Sequence, residues 1–148
     1  MPKLSASVEI EVPFHDVDVM HIAWHGHYLK YCELARCALL RMIDYDYPQM
    51  KASGYVWPIV ECQLKYMKPA QYGQRLCVSA DLLEYENRLR IGYRISCVAT
   101  GQALTKGHTT QLAIEASSEA LQFVSPAIFV ANVEAAIVAR AAMLAKEK

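Results

Sequence analysis

The 148-residue sequence predicts an α+β fold in which an antiparallel sheet curls around one long helix. Three observations carry that prediction. One uninterrupted helical stretch, from about residue 26 to 43, has an apolar arc wider than its charged one. Four or five segments of period-two alternation follow it, and tight turns join them.

Residues 4–13 alternate at Leu4, Ala6, Val8, Ile10 and Val12 and read as a first strand ending at Pro13. In the helix that follows, Lys30, Glu33, Arg36, Arg41 and Asp44 fall within about 140° of the wheel. Tyr28, Leu29, Tyr31, Cys32, Leu34, Ala35, Leu39, Met42 and Ile43 fill the rest, which predicts a largely enclosed helix about 27 Å long. Residues 44–54, with Pro48 and Gly54, read as a loop with room for a turn of helix. Strands are expected over 56–66, 75–85, 89–99 and 103–116, with a short one at 120–124. The clearest alternation is Leu89, Ile91, Tyr93, Ile95, Cys97 and Ala99 against Arg88, Arg90 and Arg94. An Ala-rich helix over about 131–146 closes a chain that reads as one domain, 1–148.

A hydrophobic content of 54% with 20% charge excludes a disordered chain. No apolar run approaches the ~20 residues of a bilayer span, and Met1-Pro-Lys-Leu-Ser does not read as a signal peptide. The five cysteines, at 32, 37, 62, 77 and 97, form no Cys-x-x-Cys pair. They read as reduced core thiols of a cytoplasmic protein. Net charge is zero, yet residues 65–108 hold seven basic side chains (Lys65, Lys68, Arg75, Arg88, Arg90, Arg94, Lys106) against Asp81, Glu84 and Glu86. That suits a phosphorylated ligand or an acidic carrier. Without a basic helix, nucleic acid is not an expected partner.

The stretch 14–28 concentrates chemistry: Asp16, Asp18, His15, His21, His25 and His27 lie in 15 residues that run into the helix. Groups of that kind beside an apolar element need a partner or a task. A helix start offers unpaired N–H donors and partial positive charge, which suits a developing oxyanion. Asp18 lies close enough before that start for its loop to fold back beside it.

The order Phe14-x-Asp16-x-Asp18-x(5)-Trp24-His25-x-x-Tyr28, followed by a helix, resembles the active-site segment of hot-dog-fold acyl-CoA thioesterases, in their 4-hydroxybenzoyl-CoA thioesterase-like branch. The resemblance runs from about Val8 to Pro126 and selects the hot-dog arrangement among α+β folds. It implies that Asp18 attacks the thioester carbonyl or activates water, and that backbone N–H groups at His25 and Gly26 polarise the carbonyl oxygen. It implies a catalytic role for His25 and substrate contacts at Trp24, Gly26, Tyr28 and Glu33. Lys68, before Pro69, and Lys106 are candidates for the phosphates of coenzyme A, near the Thr100-Gly101 and Gly107-His108 turns. Asp16 reads as a structural hydrogen-bonding residue. His21 stands where relatives usually carry Gly. If that position needs φ > 0, His21 is expected to reshape the loop or narrow the site.

The implied activity is hydrolysis of an acyl thioester, on coenzyme A or an acyl-carrier protein, with no cofactor. A homo-oligomer, dimer or tetramer, is expected, because a single curled sheet leaves edge strands open. The histidine cluster supplies zinc or iron ligand types, but no His-Glu-x-x-His is present, and residues 25 and 27 diverge by roughly 200° on a helix. No metal is therefore expected. Alternatives are a non-catalytic acyl-CoA- or carrier-binding protein of the same fold and a hydroxyacyl dehydratase, whose His-x-x-x-Pro-x-x-Pro-x-x-Gly pattern is absent.

Overall fold

The computed structural model describes residues 4–147. Met1, Pro2 and Lys3, read above for a leader, and Lys148 lie outside them. Strand β1 (Ser5–Glu11) leads through a short 3₁₀ turn (Phe14–Asp16) to helix α1 (His27–Met42) and helix α2 (Tyr47–Ser53). Then come β2 (Tyr55–Val56), β3 (Ile59–Tyr66), β4 (Arg75–Glu84), β5 (Leu89–Cys97), β6 (Ala103–Gln111), β7 (Ile114–Glu115) and helix α3 (Ala127–Lys146).

Five strands form one antiparallel sheet in the order β1-β4-β5-β6-β3. Period-two alternation is strictest in its middle. Leu76, Val78, Ala80 and Leu82 of β4 are buried, as are Leu89, Ile91, Tyr93, Ile95 and Cys97 of β5. They meet a stripe of α1 made by Tyr28, Tyr31, Cys32, Ala35, Leu39 and Leu40, whose spacing of three and four residues places them on one face. The enclosure expected for α1 is only partial within this chain. The helix packs on β1, β4 and β5, while Leu34 and Met42 are almost half exposed. The β3 end of the sheet is left uncovered: β3 is an edge strand, and seven of its eight residues are exposed.

Several boundaries differ from the expected ones. The strand expected over 56–66 breaks at Trp57-Pro58 into β2 and β3, since Pro supplies no ladder N–H. Residues 103–116 divide likewise into β6 and β7, and β7 pairs with β2. In place of the strand at 120–124 there is one bridge, Leu121 to Ile114. The loop over 44–54 contains α2, whose start is a capping box. Asp46 accepts the Tyr47 N–H at 2.8 Å, Gln49 Oε1 accepts the Asp46 N–H at 3.1 Å, and Gly54 closes the helix at φ 87°.

Cys62 is exposed on β3, so it is not the core thiol expected; Cys32 and Cys97 are buried, and all five are unpaired. α3 begins at Ala127, four residues earlier than expected, directly after Pro126. By length and composition it is one helix that could cross a membrane, which corrects the reading that no run was long enough. Its Phe129 and Val133 are fully buried, and the Phe129 ring lies 4.8 Å from that of Trp57 and 5.3 Å from that of Tyr45.

Candidate active site

The segment between β1 and α1 folds as a short finger stitched to residues 70–72. Val17 pairs with Ala23, and Ile22 pairs with Gln71. The Ala23 N–H reaches Ala70 O at 2.8 Å, and the Tyr72 N–H reaches His21 O at 3.0 Å. Asp18 and His21 close the tip: Asp18 N–H donates to Ile22 O and His21 N–H to Asp18 O, both at 2.9 Å. His21 sits at φ 62°. The loop therefore keeps the left-handed residue that a glycine would supply freely, and His21 carries the strain instead of reshaping the turn. For a side chain with a Cβ that strain is about 1–2 kcal/mol.

The two carboxylates at the base and tip of this finger differ completely. Asp16 is 2% exposed. Its Oδ1 accepts Lys30 Nζ at 2.7 Å and its Oδ2 accepts the Tyr31 hydroxyl at 2.7 Å; His27 Nε2 stands 3.8 Å away. Burial alone would raise the Asp16 pKa, but the hydrogen bonds from Lys30 and Tyr31 and the nearby positive charges outweigh it, and the carboxyl is held below its ordinary value. Tyr31 is pushed the other way, by burial and by the carboxylate it donates to. Asp18 is half-buried and accepts one bond, from the Met20 N–H to Oδ1 at 2.8 Å. Its Oδ2 has no hydrogen-bond partner among the described residues.

Asp18 borders a cavity of about 340 Å³. Met20, Ile22 and Ala23 of the finger form one wall; Tyr66, Met67, Lys68 and Pro69, at the end of β3, form the other; His25 and Tyr28 stand at the helix start between them. The indole of Trp24 lies over Gly26, where a Cβ would displace the ring. The Trp24 ring is 4.8 Å from that of His25 and 5.4 Å from that of His27. No side chain among the described residues caps α1. The N–H groups of His25 and Gly26 have no hydrogen-bond partner among the described residues. The cavity thus holds a carboxylate with a free oxygen next to a helix end with free donors.

Of the residues singled out in the sequence, Asp18, His25, Tyr28 and Lys68 line this cavity, and Trp24 and Gly26 flank it. Glu33 does not reach it and pairs with Arg36 one turn along α1. Lys106 does not line it either: on β6 it lies directly across from Lys65 of β3 and Arg94 of β5. Tyr66 and Met67 were not anticipated. Nothing in the local pattern of β3 marks a tyrosine that reaches a helix start 41 residues away. Among the described residues no group of three His, Cys, Asp or Glu side chains is placed to hold a metal ion. A larger cavity of about 600 Å³ lies along the C-terminal half of α1, walled by Leu40, Met50, Tyr55 and Trp57, with Arg36 and Gln111. It shares no residue with the first. Arg36 Nε and Gln111 Oε1 are buried there without partners among the described residues.

Comparison with known proteins gives a consistent result. Residues 12–137 match the model of the thioesterase-like superfamily. YneP of Bacillus subtilis, provisionally named an acyl-CoA thioesterase, is 30% identical over 111 residues, 74% of this chain and 80% of that one. Among solved structures, the hypothetical protein TT1821 of Thermus thermophilus is 28% identical with a TM-score of 0.75, covering 86% of this chain and 97% of that one. Slr0204 of Synechocystis, a 1,4-dihydroxy-2-naphthoyl-CoA thioesterase, shares the fold at a TM-score of 0.78 and 20% identity, over 90% of this chain and 96% of that one.

Proposed function

The chain belongs to the thioesterase-like superfamily and has its hot-dog fold, and from that premise we propose that it hydrolyses acyl-CoA thioesters at the cavity beside Asp18. One observation carries the proposal: among the described residues, a carboxylate with a free oxygen lines the same cavity as His25, at a helix start where the N–H groups of His25 and Gly26 are unpaired. Asp18 is the nucleophile or the base that draws a proton from water. The carbonyl oxygen takes up negative charge facing the N–H groups of His25 and Gly26, which are preorganised and reinforced by the helix dipole. The departing thiol is far more acidic than an alcohol and leaves as a thiolate without a strong general acid. His25 orients water or the thioester, and Lys68 at the cavity wall offers a cation to the carrier's phosphates. The five unpaired cysteines suit a reducing compartment, so the proposed site of action is the cytoplasm.

The proposed active form is a dimer or a tetramer of dimers. β3 exposes Ile59, Val60 and Tyr66 on an open edge, the arrangement that favours strand pairing with another copy. Antiparallel pairing of two β3 strands in full overlap sets Tyr66 of one copy against Ile59 of the other. The Asp18 cavity of one protomer then opens beside the Trp57-Pro58 rim of the second protomer's larger cavity, which is the proposed acyl pocket. Light scattering is expected to show at least a dimer of the 16.6 kDa chain. A stable, active monomer would count against it.

The activity is tested by thiol release across acyl-CoAs of increasing chain length and one aryl-CoA, with and without a strong chelator. Turnover of at least one thioester, unaffected by chelation, is expected, because a thioester is already activated and the carboxylate and N–H donors can carry the charge. Tight binding of acyl-CoA with no release for any member would favour the non-catalytic binding protein.

A further inference from the structure

The peptide bond between His25 and Gly26 is held from outside its own segment. Tyr66, the last residue of β3, donates its hydroxyl to the His25 carbonyl oxygen at 2.9 Å. Tyr66 is itself fixed: its ring stands edge-on to Tyr28, with centroids 5.0 Å apart at 81°. The Tyr28 hydroxyl in turn accepts the Ala70 N–H at 2.9 Å. A trans peptide is planar, so fixing the direction of the His25 carbonyl also fixes the Gly26 N–H, which points the opposite way. With the carbonyl turned to Tyr66 on the β3 wall of the cavity, the Gly26 N–H points away from that wall. The restraint matters because the peptide precedes a glycine. Glycine turns as readily to positive as to negative φ, so a His25-Gly26 peptide without an anchor flips at small cost. No capping side chain supplies that anchor.

We propose that Tyr66 is a positioning residue for thioester hydrolysis: by holding the His25 carbonyl, it aims the Gly26 N–H at the oxygen of the reacting carbonyl. The inference rests on the cavity beside Asp18 being the hydrolytic site. Tyr66 remains a donor through neutral pH, since burial, with the neighbouring Cys62 and Tyr28, pushes its phenol up from the ordinary value.

Tyr66→Phe removes the hydroxyl and keeps the ring. For acyl-CoA hydrolysis, kcat is expected to fall about tenfold or more, with KM and melting temperature unchanged, as for the misdirection of an oxyanion donor. The second reading is spectroscopic and needs no turnover. In Asp18→Asn protein loaded with an acyl-CoA labelled at its carbonyl carbon, the infrared carbonyl band is expected below its position in water. Adding Tyr66→Phe should return the band toward the solution value. Unchanged kcat in Tyr66→Phe, or the same bound band with and without the hydroxyl, overturns the proposal. A wild-type protein that releases no thiol overturns the hydrolase reading, whereas the band still reports whether Tyr66 directs a donor at the carbonyl.

Discussion

Asp16 and Asp18 are two residues apart, have the same side chain and sit in the same finger, yet the structure gives them opposite surroundings. Asp16 is buried, and both of its oxygens are occupied, by Lys30 and Tyr31 from α1. Asp18 keeps one oxygen free at the edge of a cavity. A carboxylate with a full set of donors has nothing left to offer a reactant. One held by a single backbone N–H is positioned and still available. The difference teaches that burial and charge density, the first clues in this segment, mark a structural brace as readily as a reactive group. On the proposed function, unspent hydrogen-bonding capacity beside a cavity is what sets Asp18 apart from the brace.

The comparison breaks most visibly at Asp16. Asp16→Ala strips a buried tyrosine hydroxyl and an ammonium of their acceptor, and a loss of about 2–3 kcal/mol in urea unfolding is expected, the usual penalty for orphaned buried donors. Wild-type stability in that variant would remove the brace from the account. His21 gives a smaller test. At φ 62° a β-branched residue is worse placed than histidine, so His21→Val should lose about 1–2 kcal/mol. His21→Gly should gain a few tenths, because relief of strain is largely offset by the greater freedom of glycine in the unfolded chain. A His21→Val protein as stable as wild type would show that the turn does not hold its shape.

The smallest effect is one of pH. Asp16 has a folded pKa below its ordinary 3.8, so its stabilising contribution is complete above pH about 4 and is lost as pH falls through the folded value. The urea midpoint should therefore fall more steeply below pH 4 in wild type than in Asp16→Asn. Parallel acid limbs would mean that Asp16 adds nothing to acid sensitivity.

What was legible in the sequence follows how local its cause is. α1 and the alternation of β4 and β5 could be read because one element's own spacing decides which face is buried. Asp46, Gln49 and Gly54 carried the capping signals of α2, but seven residues are too few for periodicity to register. The exposure of β3 was not legible: its alternation looks like that of a buried strand, and only the seating of α1 on β1, β4 and β5 leaves it uncovered. In the site, the motif pointed to Asp18, His25 and Tyr28, and the turn at Pro69 to Lys68; the structure gathers all four at one cavity. The seat of Asp16 depends on partners 14 and 15 residues further on, and the reach of Tyr66 on the path of β3 past the helix start. Neither leaves a trace in spacing.

The division of labour between the two carboxylates is tested most directly by one paired measurement. Thiol release is followed for Asp16→Asn and Asp18→Asn with the best acyl-CoA, each rate corrected for the folded fraction by circular dichroism. Asp18→Asn should keep its fold and lose at least about a hundredfold in kcat, the lower range for removing an acid–base group, while Asp16→Asn should hold close to the wild-type rate per folded molecule. Full activity in Asp18→Asn, with the loss falling on Asp16→Asn instead, would contradict the account and exchange the roles of the two residues.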